Sequence, residues 1–224
     1  YVTPHPTKPD RMLRKHNDLH ISQHAEFIRQ VGEGSALHKE MIEWFKDLPV
    51  YLDLDGLRVI HACWNKAAMR AISPFMDADN RLKEVAWNHV GRKGQKSYDQ
   101  MEKILKGIEI NLPDGATFLD KGGTPRRAIR CRWWEDELGT YRSIAMMDEQ
   151  SKSRLPEQAD RVVSNSNLPG YTDRKPVFVG HYWLQGIPKP MSEKVACVDY
   201  TVTLEPDQGK LVAYRWDGEQ VISE

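Results

Sequence analysis

Two histidines follow short apolar runs of the same design, and they are the strongest candidates for chemistry in this sequence. His61 ends the run L-R-V-I-H, and His181 ends the run V-F-V-G-H. Runs of this length that are rich in β-branched and aromatic residues predict buried strands. An imidazole at the end of such a strand needs a hydrogen-bond partner or a metal ion, because an unsatisfied buried polar group costs about 1 to 3 kcal/mol.

A single histidine in this position would first be interpreted as a hydrogen-bonded core residue. Two in matching contexts favour a shared site, because strand ends at one edge of a sheet are where α/β folds assemble their sites. Imidazole is also a common ligand for borderline divalent ions. We therefore predict that His61 and His181 bind metal. Asp199, in C-V-D-Y, could orient one of them, and an ordinary structural carboxylate is an equal alternative.

The remaining polar residues have simpler interpretations. Six histidines lie in polar segments and are predicted to be surface residues: His5, His16, His20, His24, His38 and His89. Cys63 follows His61 by two positions but has no convincing base and orienting group for a nucleophile. Four arginines could contact a substrate phosphate, although solvent-facing arginines are the more frequent case: Arg126, Arg127, Arg130 and Arg132.

The elements that position the histidines have local signals. Asp55 and Gly56 predict a two-residue hairpin turn between strands within 48–54 and 57–64. Helices are predicted from residue 22 or 23 to 31, and from an N-cap at Ser35 to Pro49. A turn is expected at 121–123, a long surface loop at 151–170 with Asn165 and Asn167, and a closing hairpin loop at 206–209.

Composition limits the classes of function. The 32 basic and 32 acidic residues balance, which argues against general nucleic-acid or anionic-membrane binding. Three cysteines without C-x-x-C spacing do not suggest a disulfide framework. No apolar run approaches the roughly 20 residues of a membrane-spanning helix. These features lead us to expect a cytoplasmic protein.

At V-I-H-A-C and V-F-V-G-H-Y-W the sequence resembles the calcineurin-like metallophosphoesterase superfamily, especially the diadenosine tetraphosphatase and serine/threonine phosphatase branches. The tail A-C-V-D-Y-T-V and K-L-V-A-Y-R-W-D-G-E is similar to the closing strands of that family. The resemblance covers mainly residues 23–64 and 175–219. It implies an α/β fold, a β-sandwich of mixed sheets flanked by helices.

Two of the family's earlier motifs, Gly-Asp-x-x-Asp-Arg-Gly and Gly-Asn-His-Glu, do not occur in the 224 residues. The third, Asp-x-His, is matched by Asp18-Leu19-His20, which we interpret as a chance match because no apolar strand precedes it. We therefore expect the C-terminal part of such an enzyme, lacking its N-terminal half. Residues 1–224 would form a single domain, with 65–170 as a cap or insertion.

For the complete enzyme, the resemblance implies hydrolysis of phosphoric esters with two divalent ions, whether Mn, Fe, Ni, Zn or Co. His61 and His181 would bind the second ion, Asp199 would support them, and the missing N-terminal segment would supply the other ligands. The substrate would be a phosphorylated small molecule, such as a dinucleoside polyphosphate, or a phosphoprotein. This chain alone is expected to be inactive. The alternatives are a noncatalytic fragment and an interaction domain whose histidines are structural.

Overall fold

A computed structural model describes residues 2–120, 123–135, 139–163, 168–202 and 209–223. The fold is mixed α/β, with several small sheets and short helices. The chain divides into two compact units. The first comprises Tyr1–Leu52 and Lys66–Glu102, and the second comprises Asp53–Asn65 and Lys103–Glu224. The boundary at residue 102 falls inside the predicted insertion at 65–170, and that insertion stays a prediction.

The described strands are short, and most helices have fewer than twelve residues. The strands are β1 (Pro4–His5), β2 (Lys8–Met12), β3 (Tyr51–Asp53), β4 (Arg58–Ile60), β5 (Glu109–Asn111), β6 (Phe118–Leu119), β7 (Pro125–Arg126), β8 (Ala128–Arg130), β9 (Val177–Val179), β10 (Val195–Cys197), β11 (Asp199–Tyr200) and β12 (Lys210–Leu211). The α-helices are α1 (Asp18–Val31), α2 (Ala36–Lys46), α3 (Lys66–Ile72), α4 (Trp87–Val90), α5 (Lys96–Lys106), α6 (Tyr141–Ile144) and α7 (Glu149–Ser153). Turns of 3₁₀-helix lie at Ser73–Phe75, Glu84–Ala86, Pro113–Gly115 and Glu157–Asp160.

The first unit contains the two capped helices that the sequence predicts. The Ser35 side chain accepts a hydrogen bond from the His38 N–H, so the predicted N-cap of α2 is confirmed. Helix α1 begins four or five residues earlier than predicted, because Asn17 caps it by accepting from the His20 N–H. The prediction for His38 is wrong. That residue is only 6% exposed, and its Nδ1 accepts from the Gly34 N–H.

The second unit contains most of a four-stranded sheet in the order β10-β9-β4-β3. Strands β4 and β9 pair in parallel, with Arg58 opposite Val177, and β9 and β10 pair in parallel, with Val177 opposite Val195. The predicted turn between β3 and β4 is confirmed, since the Leu54 N–H donates to the Leu57 carbonyl at 2.9 Å. All residues of β9, an interior strand, and of β10, the strand at the edge, are buried, as expected for parallel strands that are covered on both faces.

Buried apolar residues among the described parts of the second unit include a larger and a smaller cluster. The larger one includes Ile129, Cys131 and Ile144, and the smaller one joins Phe178, Ala196 and Ile222. Trp133 and Trp134 are also buried. The three cysteines are free and buried, and burial raises the pKa of the Cys63 thiol. A high thiol pKa disfavours the thiolate, which agrees with not assigning Cys63 as a nucleophile.

The later part of the chain is more structured than predicted. The expected loop at 151–170 overlaps α7 and contains the 3₁₀ turn at Glu157–Asp160. The closing hairpin forms between β11 and β12, with Tyr200 opposite Lys210. Parts of three predicted loops lie outside the described residues, namely 121 and 122, Asn165 and Asn167, and 206–208. Within the described ranges, no helix is both long and apolar enough to cross a bilayer.

Arg58, at the start of β4, is the centre of a mostly buried polar network. Its side chain is 13% exposed and lies 2.5 Å from Asp173 Oδ2 and 3.3 Å from Asp53 Oδ1. It also donates to the Tyr171 hydroxyl at 3.1 Å, and its guanidinium lies 4.6 Å from the centre of the Trp64 ring. Burial raises the pKa of Asp53, but hydrogen bonds from Lys175 and Arg58 outweigh it, so the net shift is downward.

Replacing Arg58 with Met should lower the free energy of unfolding by about 1.5 to 3 kcal/mol at pH 7, because it leaves two carboxylates without their shared cation. The pKa of Asp53 is lowered by folding, so its contribution is present above its unfolded pKa and is lost as the pH falls through the folded value. The difference between wild type and Arg58→Met should therefore shrink below about pH 4. Urea unfolding at several pH values measures it. Arg174→Met, at an exposed position, is the control, and equal losses for both variants would contradict the network.

Candidate functional site

The three residues predicted for the metal site follow three neighbouring strands. His61 comes directly after β4, His181 follows β9 after one glycine, and Asp199 lies two positions beyond β10. Because these strands are parallel and adjacent, their carboxyl ends meet at one edge of the sheet. The fold therefore brings together residues that are far apart in the sequence, since His61 and Asp199 are separated by 138 positions.

The two imidazoles contact each other. Their ring centres lie 5.2 Å apart, and the ring planes are inclined at 49°. Two imidazoles that bind one zinc ion through nitrogens at about 2.0 to 2.1 Å, at a tetrahedral angle, have ring centres roughly 5 Å apart. The separation of His61 and His181 is therefore compatible with a shared ion.

Hydrogen bonds to main-chain carbonyl groups hold the two histidine segments in register. The Gly180 N–H donates to the His61 carbonyl at 2.9 Å. The Tyr182 hydroxyl donates to the Ala62 carbonyl at 2.8 Å, and the indole N–H of Trp133 lies 3.1 Å from that carbonyl and 2.8 Å from the Tyr182 oxygen. Burial raises the pKa of Tyr182, so its hydroxyl keeps its proton and remains a donor. Tyr182, the residue after His181, is thus hydrogen-bonded to Ala62, the residue after His61.

The segment that carries His181 has an unusual backbone. His181 has φ of 71° and Trp183 has φ of 51°, values in the left-handed region, which non-glycine residues seldom adopt, although Asn, Asp and His do so more often than the others. Contacts with the next segment hold this shape, since the Leu184 N–H donates to the Asp199 carbonyl and the Thr201 hydroxyl donates to the Leu184 carbonyl. Each such residue costs about 1 to 3 kcal/mol, and strain of this kind is concentrated at functional sites.

Both imidazoles are neutral at pH 7. Burial lowers the pKa of His181 to about 4, with further lowering from the positive charge of Arg130 and from His61. Burial also lowers the pKa of His61, because part of its ring is removed from water. The negative charge of Asp199 opposes this shift. Neutral imidazole is the form that binds metal.

One ring nitrogen is left unsatisfied. Nε2 of His181 is buried and has no hydrogen-bond partner among the described residues. A buried polar atom without a partner costs about 1 to 3 kcal/mol, and such atoms in native structures call for an explanation such as an ion. Nε1 of Trp87 and Oδ1 of Asn88 share this property among the described residues, so the position of Nε2 on a ring beside His61 is what favours an ion here.

Asp199 acts on both histidines through its charge, which raises the pKa of each. Its Oδ1 accepts from the Thr201 N–H at 3.2 Å. Where the structure describes the chain, no hydrogen bond joins the Asp199 carboxylate to either ring. Its predicted orienting role stays a prediction.

Three of the four predicted arginines lie along one groove, which we call the arginine groove. It has a volume of about 870 Å³. Its lining comes mainly from β6 to β8, from residues 146–154 and from residues 182–185. Arg126, Arg127 and Arg130 line it. Arg132 is not part of the described lining, and it contacts the Ser143 carbonyl and Glu135 instead. Because Arg130 also lowers the pKa of His181, the groove lies within electrostatic range of the histidine pair.

The described residues contain no group of three or more His, Cys, Asp or Glu side chains that could hold a metal ion. The site offers the two imidazoles as candidate ligands, and the Asp199 carboxylate is nearby but is not placed to make a group of three with them. Comparisons with family models, curated protein sequences and solved structures give no match. The assignment of this site rests on its own geometry and on the sequence motifs.

Several residues around the site were not identified from the sequence. Tyr182 and Trp133 anchor the histidine segments, and Arg154 lines the groove. Tyr182 directly follows the Gly-His motif, which is a weak local signal for a role. Nothing in the sequence links Trp133 to Ala62, because that contact spans 71 positions.

Two glycines beside Tyr182 and His181 should differ in their tolerance of a methyl group. Gly107 has φ of 83°, and a Cβ there would lie 2.9 Å from the Tyr182 hydroxyl. Gly180 has no positive φ, and a Cβ there would meet its nearest atoms at 3.7 Å. Gly107→Ala should lower the free energy of unfolding by more than about 1 kcal/mol. Gly180→Ala should change it by less than about 0.5 kcal/mol.

Urea unfolding followed by circular dichroism compares the two variants. Each serves as the control for the other, since both replace a glycine by alanine next to the same histidine segment. A larger loss for Gly180→Ala would show that the Gly-His motif needs its glycine for packing, which this geometry does not predict.

Proposed function

We propose that this chain contributes one wall of a dinuclear metal site in a phosphoesterase of the calcineurin-like kind, with His61 and His181 as ligands of one ion. The observation that carries the proposal is the pairing of two neutral imidazoles at neighbouring strand ends, 5.2 Å apart, with a buried ring nitrogen of His181 left without a partner. The finer architecture proposed with it is the helix-flanked β-sandwich of that superfamily.

The donor set fits the implied ions. Imidazole nitrogen suits zinc, iron and nickel, and neutral rings need no proton release on binding. When bound, a pair of divalent ions lowers the pKa of a water molecule and neutralises phosphate charge. A complete centre requires more than two imidazoles, and the proposal assigns the remaining ligands to a polypeptide segment outside these 224 residues.

The chain's own residues would hold and orient the phosphoester. His61 and His181 would hold one ion, and the hydrogen bond of Tyr182 to the Ala62 carbonyl keeps the two histidine segments together. Arg130 and Lys106 place positive charge near His181, as their lowering of its pKa indicates. Positive charge at this edge favours the approach of a phosphate anion.

The alternative, in which both histidines are structural, is less well supported. A structural interpretation would pair each buried ring nitrogen with a hydrogen-bond partner. His38 is an example within this chain, since it is buried and its Nδ1 accepts from the Gly34 N–H. Nε2 of His181 has no such partner among the residues described.

Titration of the purified chain with Zn²⁺ or Mn²⁺, followed by calorimetry, tests the ligands. We expect one weak site, and His61→Ala or His181→Asn should weaken it at least about tenfold. His16→Ala, at an exposed position in the first unit, is the matched control and should bind as wild type does. Equal metal binding by wild type and both site variants would overturn the proposed ligand pair.

The catalytic part of the proposal needs a chain that also contains the remaining ligands. In that context, His61→Ala and His181→Asn should abolish hydrolysis of a generic aryl phosphate, while His16→Ala leaves it unchanged. Retained hydrolysis in both site variants would refute the phosphoesterase assignment even if metal binds.

A further inference from the structure

The arginine groove combines charged and aromatic surfaces within the second unit. One wall is the segment 182–185, which directly follows His181. The lining also includes Arg126, Arg127 and Arg154 and the thioether side chains of Met146 and Met147. A groove of about 870 Å³ falls within the usual size range of small-molecule sites, which is roughly 300 to 1,000 Å³.

We propose that the arginine groove binds an anion that carries a flat aromatic group, with Trp183 as the stacking surface and Arg127 and Arg154 as the anion contacts. One part of the inference rests on the proposed function. If the histidine pair serves phosphoester hydrolysis, this ligand is the substrate, and the groove holds the organic part of that substrate.

Trp183 has the properties of a stacking surface. It is 71% exposed although it is a large aromatic side chain, and its backbone is held in the left-handed region at φ of 51°. The contacts of Leu184 with Asp199 and Thr201 maintain that conformation. An exposed indole on a strained and anchored backbone indicates a binding role more than a packing role.

The arginines divide into two pairs. Arg126 is bound to Asp120 at 2.8 Å, and Arg130 lies 3.3 Å from Glu109, so part of their charge is already balanced. Arg127 and Arg154 are exposed in the groove, and no ion pair involves either of them in the part of the chain that the structure describes. A guanidinium group is suited to planar oxyanions such as phosphate and carboxylate, which it can bind through two parallel hydrogen bonds.

The apolar part of the lining favours an amphiphilic ligand over a bare anion. Phe118 and Leu119 lie on the same groove as Met146 and Met147, and Leu119 is 60% exposed. Methionine side chains adapt their shape and contact aromatic rings favourably. Inorganic phosphate would leave these surfaces in water, whereas an aryl group would cover them.

Direct binding to the 224-residue chain tests this ligand class. Calorimetry with a chelator present, so that no hydrolysis occurs, compares naphthyl phosphate, glycerol phosphate and naphthol. Naphthyl phosphate should bind about tenfold more tightly than either of the others. Trp183→Ala should remove its advantage over glycerol phosphate, and Trp183→Phe should keep most of it.

Arg127→Ala and Arg154→Ala should each weaken both phosphates about tenfold and leave naphthol unchanged. Trp44→Ala and Arg174→Ala, at exposed positions outside the groove, are the matched controls and should bind as wild type does. Equal affinities for naphthyl and glycerol phosphate, or no effect of Trp183→Ala, would overturn the inference.

The outcome is separable from that of the metal experiment. Selective binding of naphthyl phosphate by a chain that binds no metal would retain the ligand class and reject the phosphoesterase proposal. Metal binding through His61 and His181 without selectivity for the aromatic phosphate would retain the proposed metal ligands and reject the ligand class.

Discussion

The parallel pairing of β4 with β9 is the interaction on which the candidate site depends. It aligns Arg58 with Val177 and Val59 with Phe178, so both strands end at the same level. The Gly180 N–H then continues the pairing by donating to the His61 carbonyl. A shift of register by one residue would turn the side chains of one strand to the other face. The contact between the two imidazoles follows from this register.

The strands are only three residues long, so the sheet alone provides few hydrogen bonds to fix that register. Side chains supply the rest. The Arg58 network fixes β4 at its beginning, where the guanidinium contacts Asp173 and Tyr171. Tyr182 and Trp133 fix the chain just after the strand ends, at the Ala62 carbonyl. Each end of the β4–β9 pair is therefore held by polar groups that are largely withdrawn from water, where hydrogen bonds are stronger and their loss is more costly.

Local signals explain what could be predicted from the sequence. Asp55 and Gly56 specify their turn through backbone preferences, and Ser35 caps α2 through a contact three residues away. The repeated pattern of a short apolar run ending in histidine predicted two strand ends, and the fold places them side by side. His38 was mispredicted because its burial depends on Phe27 and Gly34 across the α1–α2 turn, which a polar sequence context does not reveal.

The remaining features of the site depend on contacts between distant segments. The link from Trp133 to Ala62 and the contact of Leu184 with Asp199 both require the completed fold. The division into units is equally nonlocal, because residues 53–65 belong with 103–224 and not with their immediate neighbours. Sequence patterns report which residues can form a strand or cap a helix, whereas the partner that a side chain meets across 71 positions is set by packing.

The strain at His181 and Trp183 has a consistent physical interpretation. Two left-handed residues separated by one position turn successive side chains in different directions: the His181 ring contacts His61, the Tyr182 hydroxyl reaches Ala62, and Trp183 lines the arginine groove. An extended strand would alternate side chains between two faces only. The unfavourable backbone conformation therefore allows three consecutive residues to point in three directions, with His181 as the proposed ligand, Tyr182 as an anchor and Trp183 as the proposed stacking surface. The unpaired Nε2 of His181 adds a second unfavourable term at the same residue. Both costs are concentrated where the segment would meet an ion and its anionic ligand, and binding there would offset them.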